Sequence, residues 1–196
     1  MEEIPLYLSR KSAPNRGGEM REIRPGEGWA RIRPEWVALV VTVDDRNGRP
    51  NIITLGWTMH ASGDPPMAAI AVGKTRYSHE LLTETGEFVL AYPNSRMGEA
   101  ALFCGTHSGR DVDKFAETEL EPVPAKYVRP PLIRGAVVNF ECKVVGTADA
   151  GDHTVFLGRI LAAYEEPEEK EILLNFGSTP SGKRYLTGIT GYKGQY

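Results

Sequence analysis

Two short segments combine cationic side chains with hydroxyl groups, as phosphate-binding sites do. The first contains Arg76 and Ser78, which stand between an apolar run and the start of a predicted helix. Free N–H groups at a helix N-terminus favour an anion, while Arg76 adds a forked donor and Ser78 adds a hydroxyl. A capped surface helix with incidental charges has the same residues, so this segment by itself leaves both interpretations open.

The second segment is SGRDVDKF, at residues 108–115. It brings the small residues Ser108 and Gly109, two cations that include Lys114, and the aromatic Phe115 into one short stretch. A charged surface loop has a similar composition. Two cationic, hydroxyl-bearing loops in one small protein would serve a ligand that carries both a phosphate and a polar ring system.

The third feature is His153, which follows Gly151 and Asp152 at the start of a predicted strand. A single histidine in a turn is usually a solvated or capping residue. Its position at the beginning of a strand also makes His153 a candidate for the rim of a pocket.

Three other kinds of site have weaker support. Residues 73–75 read Gly-Lys-Thr, but a P-loop needs a glycine at position 68, which is Ala68. A zinc site would need Cys104, His107, Cys142 and His153 together. Cys142, however, lies in an apolar strand, where a free cysteine usually packs as a small hydrophobe. A serine triad lacks the G-x-S-x-G elbow that exposes its nucleophile. We therefore predict no metal site and no catalytic triad.

The elements that must position these residues are mostly short strands separated by turns. The run at 36–45 is β-branched and apolar, and Asn47-Gly48 is a favoured hairpin turn into a return strand at 51–60. Further strands are predicted at 67–73, 87–93, 135–148 and 153–166. Helices are predicted from Ser78, as the N-cap, to Gly86, and over 97–105. This pattern favours a closed antiparallel barrel with short inserted helices over a parallel sheet.

Length and composition predict a single soluble globular domain over residues 1–196. Within it we expect an extended N-terminal arm over 1–34 and an irregular C-terminal tail over 167–196. A formal charge of -3 gives no indication of a nucleic-acid partner. The sequence also lacks an apolar run long enough for a membrane span and a basic, apolar leader, so the expected location is cytoplasmic.

Five segments, in the same order, resemble the flavin reductase-like family of FMN-binding split barrels, and in particular its flavoredoxin branch. They are NIITLGWTMHASGDPP, GKTRYSHELL, EFVLAYP, SGRDVDKF and GDHTVFLGRI. Together they cover roughly residues 35 to 165. Each is a weak motif alone, but five in the family's order make the resemblance fairly specific.

The resemblance implies a mainly β fold, a six-stranded antiparallel Greek-key split barrel, and a homodimer with FMN near the subunit interface. The residues carried over by position to the ring and ribityl chain are Asn51, Ile52, Ile53, Thr54, Trp57 and Thr58. Those carried over to the phosphate and the closing loop are Arg76, Ser78, Ser108, Gly109, Lys114 and Phe115. His153 falls beside the flavin and the incoming nicotinamide, as the implied catalytic residue. The bulky Trp57 either packs on the flavin or narrows the space above it.

The function that the resemblance implies is an FMN-dependent oxidoreductase. Electrons would pass from NAD(P)H through FMN to free flavin, ferric iron or a protein acceptor. FMN itself carries the electron chemistry, so the absence of a predicted nucleophile or metal agrees with this function. Two alternatives stay open: a flavoredoxin-type electron carrier without NAD(P)H reductase activity, and a barrel that has lost its flavin and only binds.

Overall fold

The computed structural model describes residues 20–168, 171–178 and 184–190. They fall into two units, divided between Ile32 and Arg33. In the first unit, helix α1 (Pro25–Gly28) starts at a proline and continues into a 3-10 turn at Trp29–Arg31. The expected extended arm is therefore helical here, because proline at the first helical position has a backbone angle already suited to a helix. Residues 1–19 of the arm lie outside the described residues.

The second unit contains twelve strands and two helices in its described part. The strands are β1 (Glu35–Trp36), β2 (Ala38–Val43), β3 (Pro50–Leu55), β4 (Thr58–Gly63), β5 (Pro66–Gly73), β6 (Glu87–Tyr92), β7 (Pro122–Val123), β8 (Leu132–Ile133), β9 (Val138–Ala150), β10 (His153–Glu165), β11 (Glu171–Ser178) and β12 (Arg184–Thr190). The helices are α2 (Tyr77–Thr85) and α3 (Gly98–Thr106), with a 3-10 turn at Ser95–Met97 before α3. No helix among the described residues is long and apolar enough to cross a membrane.

Seven strands form one antiparallel sheet in the order β3-β2-β6-β9-β10-β5-β4. The two edge strands, β3 and β4, follow each other in sequence and are separated only by Gly56 and Trp57. The return strand predicted at 51–60 is therefore two strands with a break between them. A Cβ on Gly56 would lie 2.7 Å from the carboxylate carbon of Glu35, so a glycine lets the chain pass close to that side chain.

Several local predictions are confirmed because each depended on a turn residue or on local periodicity. Gly48 has a positive φ of 72° in the β2–β3 hairpin, and Gly86 has a φ of 65° at the end of α2. The long hairpin of β9 and β10 turns at Gly151, whose φ is 68°. The fold is mainly antiparallel β structure with few helices, as predicted.

The core has two parts, because β2 is buried on both faces. Leu39 and Val41 pack in one cluster with residues of α3 and β8. Ala38 and Val40 pack on the other side, with Phe88 and Phe156. Alternate residues of a strand point to opposite faces, so the apolar run of β2 serves both clusters.

The C-terminal region corrects one prediction. The irregular tail expected over 167–196 contains β11 and β12, which form a three-stranded sheet with β1 in the order β1-β11-β12. Leu173 and Leu174 of β11 are buried. The glycines and prolines of this region favoured loops, whereas β11 gains its partner from β1, at Glu35 opposite Asn175, which is far away in sequence.

Candidate functional site

A cavity of about 540 Å³ lies in the second unit, and this is a usual volume for a small-molecule site. Its wall is built from β3, the link between β3 and β4, the start of α2, the end of α3 with the loop that follows it, and the start of β10. Glu35 of β1 and Asn175 of β11 also line the cavity, as does Arg33, which lies just before β1.

One end of the cavity is set up for an anion. Arg76 directly precedes α2 and is exposed, and its guanidinium forms no hydrogen bond or ion pair within the part of the chain that the structure describes. In that same part, the backbone N–H groups of Thr75, Tyr77 and Ser78 also have no acceptor. The first N–H groups of a helix carry partial positive charge and lack partners within the helix. A guanidinium and unpaired N–H groups therefore stand together at this end.

Ser78 corrects a second prediction. Helix α2 begins at Tyr77, and its N-cap position is held by Arg76 without a side-chain cap. The hydroxyl of Ser78 is buried instead, and it accepts a hydrogen bond of 2.8 Å from Nδ2 of Asn51. Nδ2 also donates to Thr42 Oγ1 at 3.2 Å. Asn51, a residue of β3, therefore hydrogen-bonds to the hydroxyl that the local sequence had assigned to capping the helix.

Asn51 is 3% exposed and lines the cavity. Its Oδ1 is buried and has no hydrogen-bond partner among the described residues. Gly109 lies against this oxygen, because a Cβ added to Gly109 would come 2.0 Å from Oδ1. A buried acceptor without a partner is costly in a native protein. In this position it can accept a hydrogen bond from a bound ligand.

A network of charges braces the loop that contains Gly109. Arg110 lies over the ring of Tyr77, 4.8 Å from its centroid, and donates to Glu80 at 2.8 Å. The hydroxyl of Tyr77 donates to Asp44 at 2.7 Å. Hydrogen bonds from Arg46 and then from Tyr77 hold the pKa of Asp44 well below its usual range. These contacts connect the β2–β3 turn, α2 and the Gly109 loop.

Lys114 is buried in the cavity wall, at 4% exposure. Its Nζ donates to the carbonyl oxygens of Ile52 at 2.6 Å and Cys104 at 2.7 Å. Burial lowers the pKa of Lys114, because removing an ammonium from water disfavours its charged form. The side chain therefore ties the last turn of α3 to β3 and places an amino group beside the cavity.

The rim at the other side of Arg76 is aromatic. The ring of Trp57 lies 4.6 Å from that of His153, at an angle of 41° between their planes. Nδ1 of His153 is 2.7 Å from Oδ1 of Asp152. A Cβ on Gly73 would lie 3.6 Å from Nε2 of His153 and 3.5 Å from Cγ of Arg76, so the two side chains flank this glycine.

The structure brings most of the predicted residues to one cavity. The predicted residues that line it are Asn51, Ile53, Thr54, Trp57, Arg76, Ser78, Ser108, Gly109, Lys114 and His153. Three do not line it. Ile52 is buried in the core, Thr58 contacts the hydroxyl of Tyr92 at 3.2 Å, and Phe115 packs against the core.

Two parts of the wall were not predicted from the sequence. One is the end of α3, where Gly105, Thr106 and His107 line the cavity. The Cys104–His107 spacing had suggested only a zinc site, yet the described residues contain no group of three or more metal-ligating side chains. The other is the trio of Arg33, Glu35 and Asn175, in which Asn175 donates to Glu35 at 2.7 Å and Arg33 pairs with Glu35.

Comparison with known proteins identifies the family of this chain. The model of the "Flavin reductase like domain" matches residues 31–182, which is most of the chain. The chain belongs to the flavin reductase-like family. The family resemblance in the sequence is thereby confirmed, and the structural relatives include flavoredoxin, the branch that the sequence resembles.

Three relatives show how similar this flavin reductase-like chain is to known proteins. An uncharacterised protein of Archaeoglobus fulgidus is 38% identical over 58% of this chain and 64% of its own length. The NADH-dependent FAD reductase of Streptomyces globisporus is 32% identical over 70% of this chain and 74% of its own. The crystal structure of flavoredoxin from Methanosarcina acetivorans is 27% identical, with a TM-score of 0.74 over 91% of this chain and 95% of that one.

A flavin mononucleotide fits the donors and acceptors of this flavin reductase-like cavity. The group at the Arg76 end is the kind that binds a phosphate, namely a guanidinium with helix N-terminal N–H groups. The unpartnered Oδ1 of Asn51 can accept from a hydroxyl or a ring N–H. Ile53 and Trp57 add apolar wall for a flat ring system.

Proposed function

We propose that this protein is an FMN-binding oxidoreductase that passes electrons from NAD(P)H through FMN to free flavin, ferric iron or a protein acceptor. The observation that carries the proposal is a cavity, in a chain of the flavin reductase-like family, whose cationic end at Arg76 has no protein partner among the described residues. The Streptomyces relative named as an NADH-dependent FAD reductase supports a nicotinamide donor.

In this proposal Arg76 and the N-terminus of α2 bind the phosphate. Asn51, held by Ser78 and Thr42, accepts a hydrogen bond from the ribityl chain or the ring. When bound, FMN supplies the chemistry that the side chains lack, because it accepts a hydride and releases electrons. The anion-binding end at Arg76 suits the one phosphate of FMN, although the Streptomyces globisporus relative is named for FAD.

His153 would hold the nicotinamide near the flavin. Asp152 lies on its Nδ1, which fixes the imidazole ring and leaves Nε2 on the side of Gly73 and Arg76. The role is one of placement, because hydride transfer depends steeply on how the donor carbon is positioned. Trp57 packs beside the imidazole and limits the space in which a nicotinamide could lie.

A second candidate function is electron transfer between proteins, with no NAD(P)H reductase activity. The similarity in structure to flavoredoxin favours it, as does Trp57, which is 52% exposed and stands in contact with His153 at the cavity rim. In this case a redox protein would be the electron donor, and Trp57 would exclude nicotinamide from the flavin.

An absorbance scan and a reduction experiment test both candidates. The purified protein, mixed with FMN and desalted, should absorb near 450 nm. Anaerobic stopped-flow mixing with NADH and with NADPH should then bleach this band if the first function is correct. Retention of the band after mixing, together with bleaching by dithionite, would support the electron carrier. A protein that binds no flavin would overturn both.

Three further properties belong to this proposal. We infer that β3 and β4 act as one bent strand that closes a six-stranded Greek-key barrel, since only Gly56 and Trp57 separate the two edges of the sheet. We infer a homodimer, in which a partner covers exposed apolar residues at the cavity mouth. A cytoplasmic location completes the proposal.

A further inference from the structure

Some of the cationic side chains around the cavity are paired with carboxylates and others are not. Arg33 is paired with Glu35, and Arg110 is paired with Glu80. In contrast, neither Arg76 nor Lys114 contacts a carboxylate among the residues that the structure describes. Positive charge in the wall thus exceeds the negative charge that is close enough to neutralise it.

Lys114 is the more unusual of the two cations, because it is 4% exposed. The carbonyl oxygens of Ile52 and Cys104 account for two of the three N–H bonds of its ammonium group. Burying a cation with only neutral acceptors is costly, and a carboxylate would be the usual compensation. Burial is the main cause that lowers the pKa of Lys114; the neighbouring Cys104 opposes this effect, and the positive charge of Arg76 adds to it. Both cations line the same cavity.

A fixed positive charge in a poorly hydrated wall favours any reaction that adds negative charge to the ligand beside it. Hydride transfer from NAD(P)H brings two electrons and one proton to oxidised FMN and leaves NAD(P)⁺. The flavin ring therefore gains one negative charge. Oxidised and reduced FMN differ in charge, so a positively charged wall must bind them with different affinities.

From these contacts we infer that Lys114 makes the cavity bind reduced FMN more tightly than oxidised FMN, and so raises the reduction potential of the bound flavin. The inference rests on the proposed function, since it takes FMN as the ligand. Lys114 is assigned a role in setting the potential, whereas Arg76 binds a phosphate whose charge is the same in both oxidation states.

The test is Lys114→Gln, which keeps N–H donors for the carbonyl oxygens of Ile52 and Cys104 but removes the charge. We expect the affinity for oxidised FMN to stay within about threefold. The affinity for reduced FMN should fall by about tenfold to hundredfold. Since tenfold corresponds to about 30 mV for a two-electron couple, the midpoint potential should drop by about 30–60 mV.

The matched control is Lys143→Gln, which removes the same charge from an exposed position on β9 outside the cavity wall. Its potential should equal that of the parent protein. A Lys114→Gln protein that binds FMN at the parent potential would overturn the inference and leave the proposed function standing. A parent protein that binds no FMN would overturn both.

A measurement on the unaltered protein covers the case in which Lys114→Gln does not fold. Titration with dithionite and a reference dye gives the midpoint potential of FMN bound to the parent protein and of free FMN. The bound value should be the higher one. A bound potential equal to or below that of free FMN would show that the cations of the wall do not favour the reduced form, and would overturn the inference.

Discussion

At the scale of single residues, the sharpest expectation concerns Arg76. Arg76→Ala should weaken FMN binding by about tenfold to hundredfold, because a charge-assisted contact to phosphate contributes about 1.5–3 kcal/mol. A fluorescence titration with FMN measures the change. Riboflavin, which has no phosphate, should bind the variant and the parent equally.

Arg159→Ala is the matched control for Arg76, because Arg159 is exposed on β10 and does not line the cavity. It should bind FMN as the parent does. Equal FMN affinity in the Arg76 and Arg159 variants would place the phosphate elsewhere.

The prediction for His153 is different, because a substitution should change the rate of reduction by NAD(P)H without changing the affinity for FMN. His153→Ala should keep FMN affinity within about threefold, since the proposed phosphate and ring contacts come from other side chains. Reduction by NAD(P)H should slow by about tenfold or more, because a misplaced donor carbon is costly in hydride transfer. Stopped-flow reduction of the FMN-loaded variant checks this. Reduction at the parent rate would mean that His153 is only a solvated turn residue.

At the scale of elements, β9 carries a buried carboxylate that holds a loop in place. Glu141 is 0% exposed and accepts from the backbone N–H groups of Lys126, Tyr127 and Val128, as well as from the hydroxyl of Tyr164. Burial alone would raise the pKa of Glu141, but these hydrogen bonds outweigh it and lower the pKa. Loop 126–128 therefore depends on a charged group in the sheet.

We expect Glu141→Gln to lower the free energy of unfolding by about 2–3 kcal/mol at pH 7, because charge-assisted hydrogen bonds to the backbone are lost. A lowered folded-state pKa gives stability that is fully present above the unfolded value of about 4.3 and is lost as the pH falls through the folded value. The difference between parent and variant should therefore shrink below about pH 4. Urea unfolding at pH 7 and at pH 3.5 measures it, and a constant difference would contradict the assignment.

The same scale shows which elements could be predicted from the sequence. β5, α2 and the β9–β10 hairpin follow from local periodicity and from turn glycines such as Gly86 and Gly151. β11 could not be predicted, because its pairing with Glu35 and Trp36 depends on a distant segment. The break at Gly56 and Trp57 was also missed, since an apolar run with a single glycine favours one continuous strand.

In the candidate site, too, features that depend on local sequence could be predicted and contacts between distant segments could not. Arg76 and Gly109 were identified because cations, hydroxyls and small residues were close together in sequence and matched family motifs. Asn51 came from the resemblance, but its bond to Ser78 did not, since local sequence makes Ser78 a cap. Asn175 was missed because its neighbours look like a loop.

At the scale of the whole molecule, the main prediction is the oligomeric state. Trp36, Trp57 and Met59 are 51%, 52% and 61% exposed, and the two tryptophans also line the cavity. Exposed large apolar side chains that group on a surface are typical of an interaction site. A second copy of the chain would cover them. Sedimentation velocity at micromolar concentration should give about twice the mass of one chain. A single species with the mass of one chain would contradict the homodimer.

The contact between Glu35 and Asn175 also constrains when the protein can first retain its ligand. The two residues are 140 positions apart, yet both belong to the wall of the cavity. During synthesis on the ribosome, the Arg76 end and the Asn51 acceptor emerge long before β11 is translated. The strand that leads to Arg76, β5, gains β10 as a neighbour only after residue 153 has emerged. The wall formed by Glu35 and Asn175 stays open even longer, until the segment around Asn175 has emerged and paired with β1. We therefore expect stable loading of the proposed flavin to be a late event in the biogenesis of this protein.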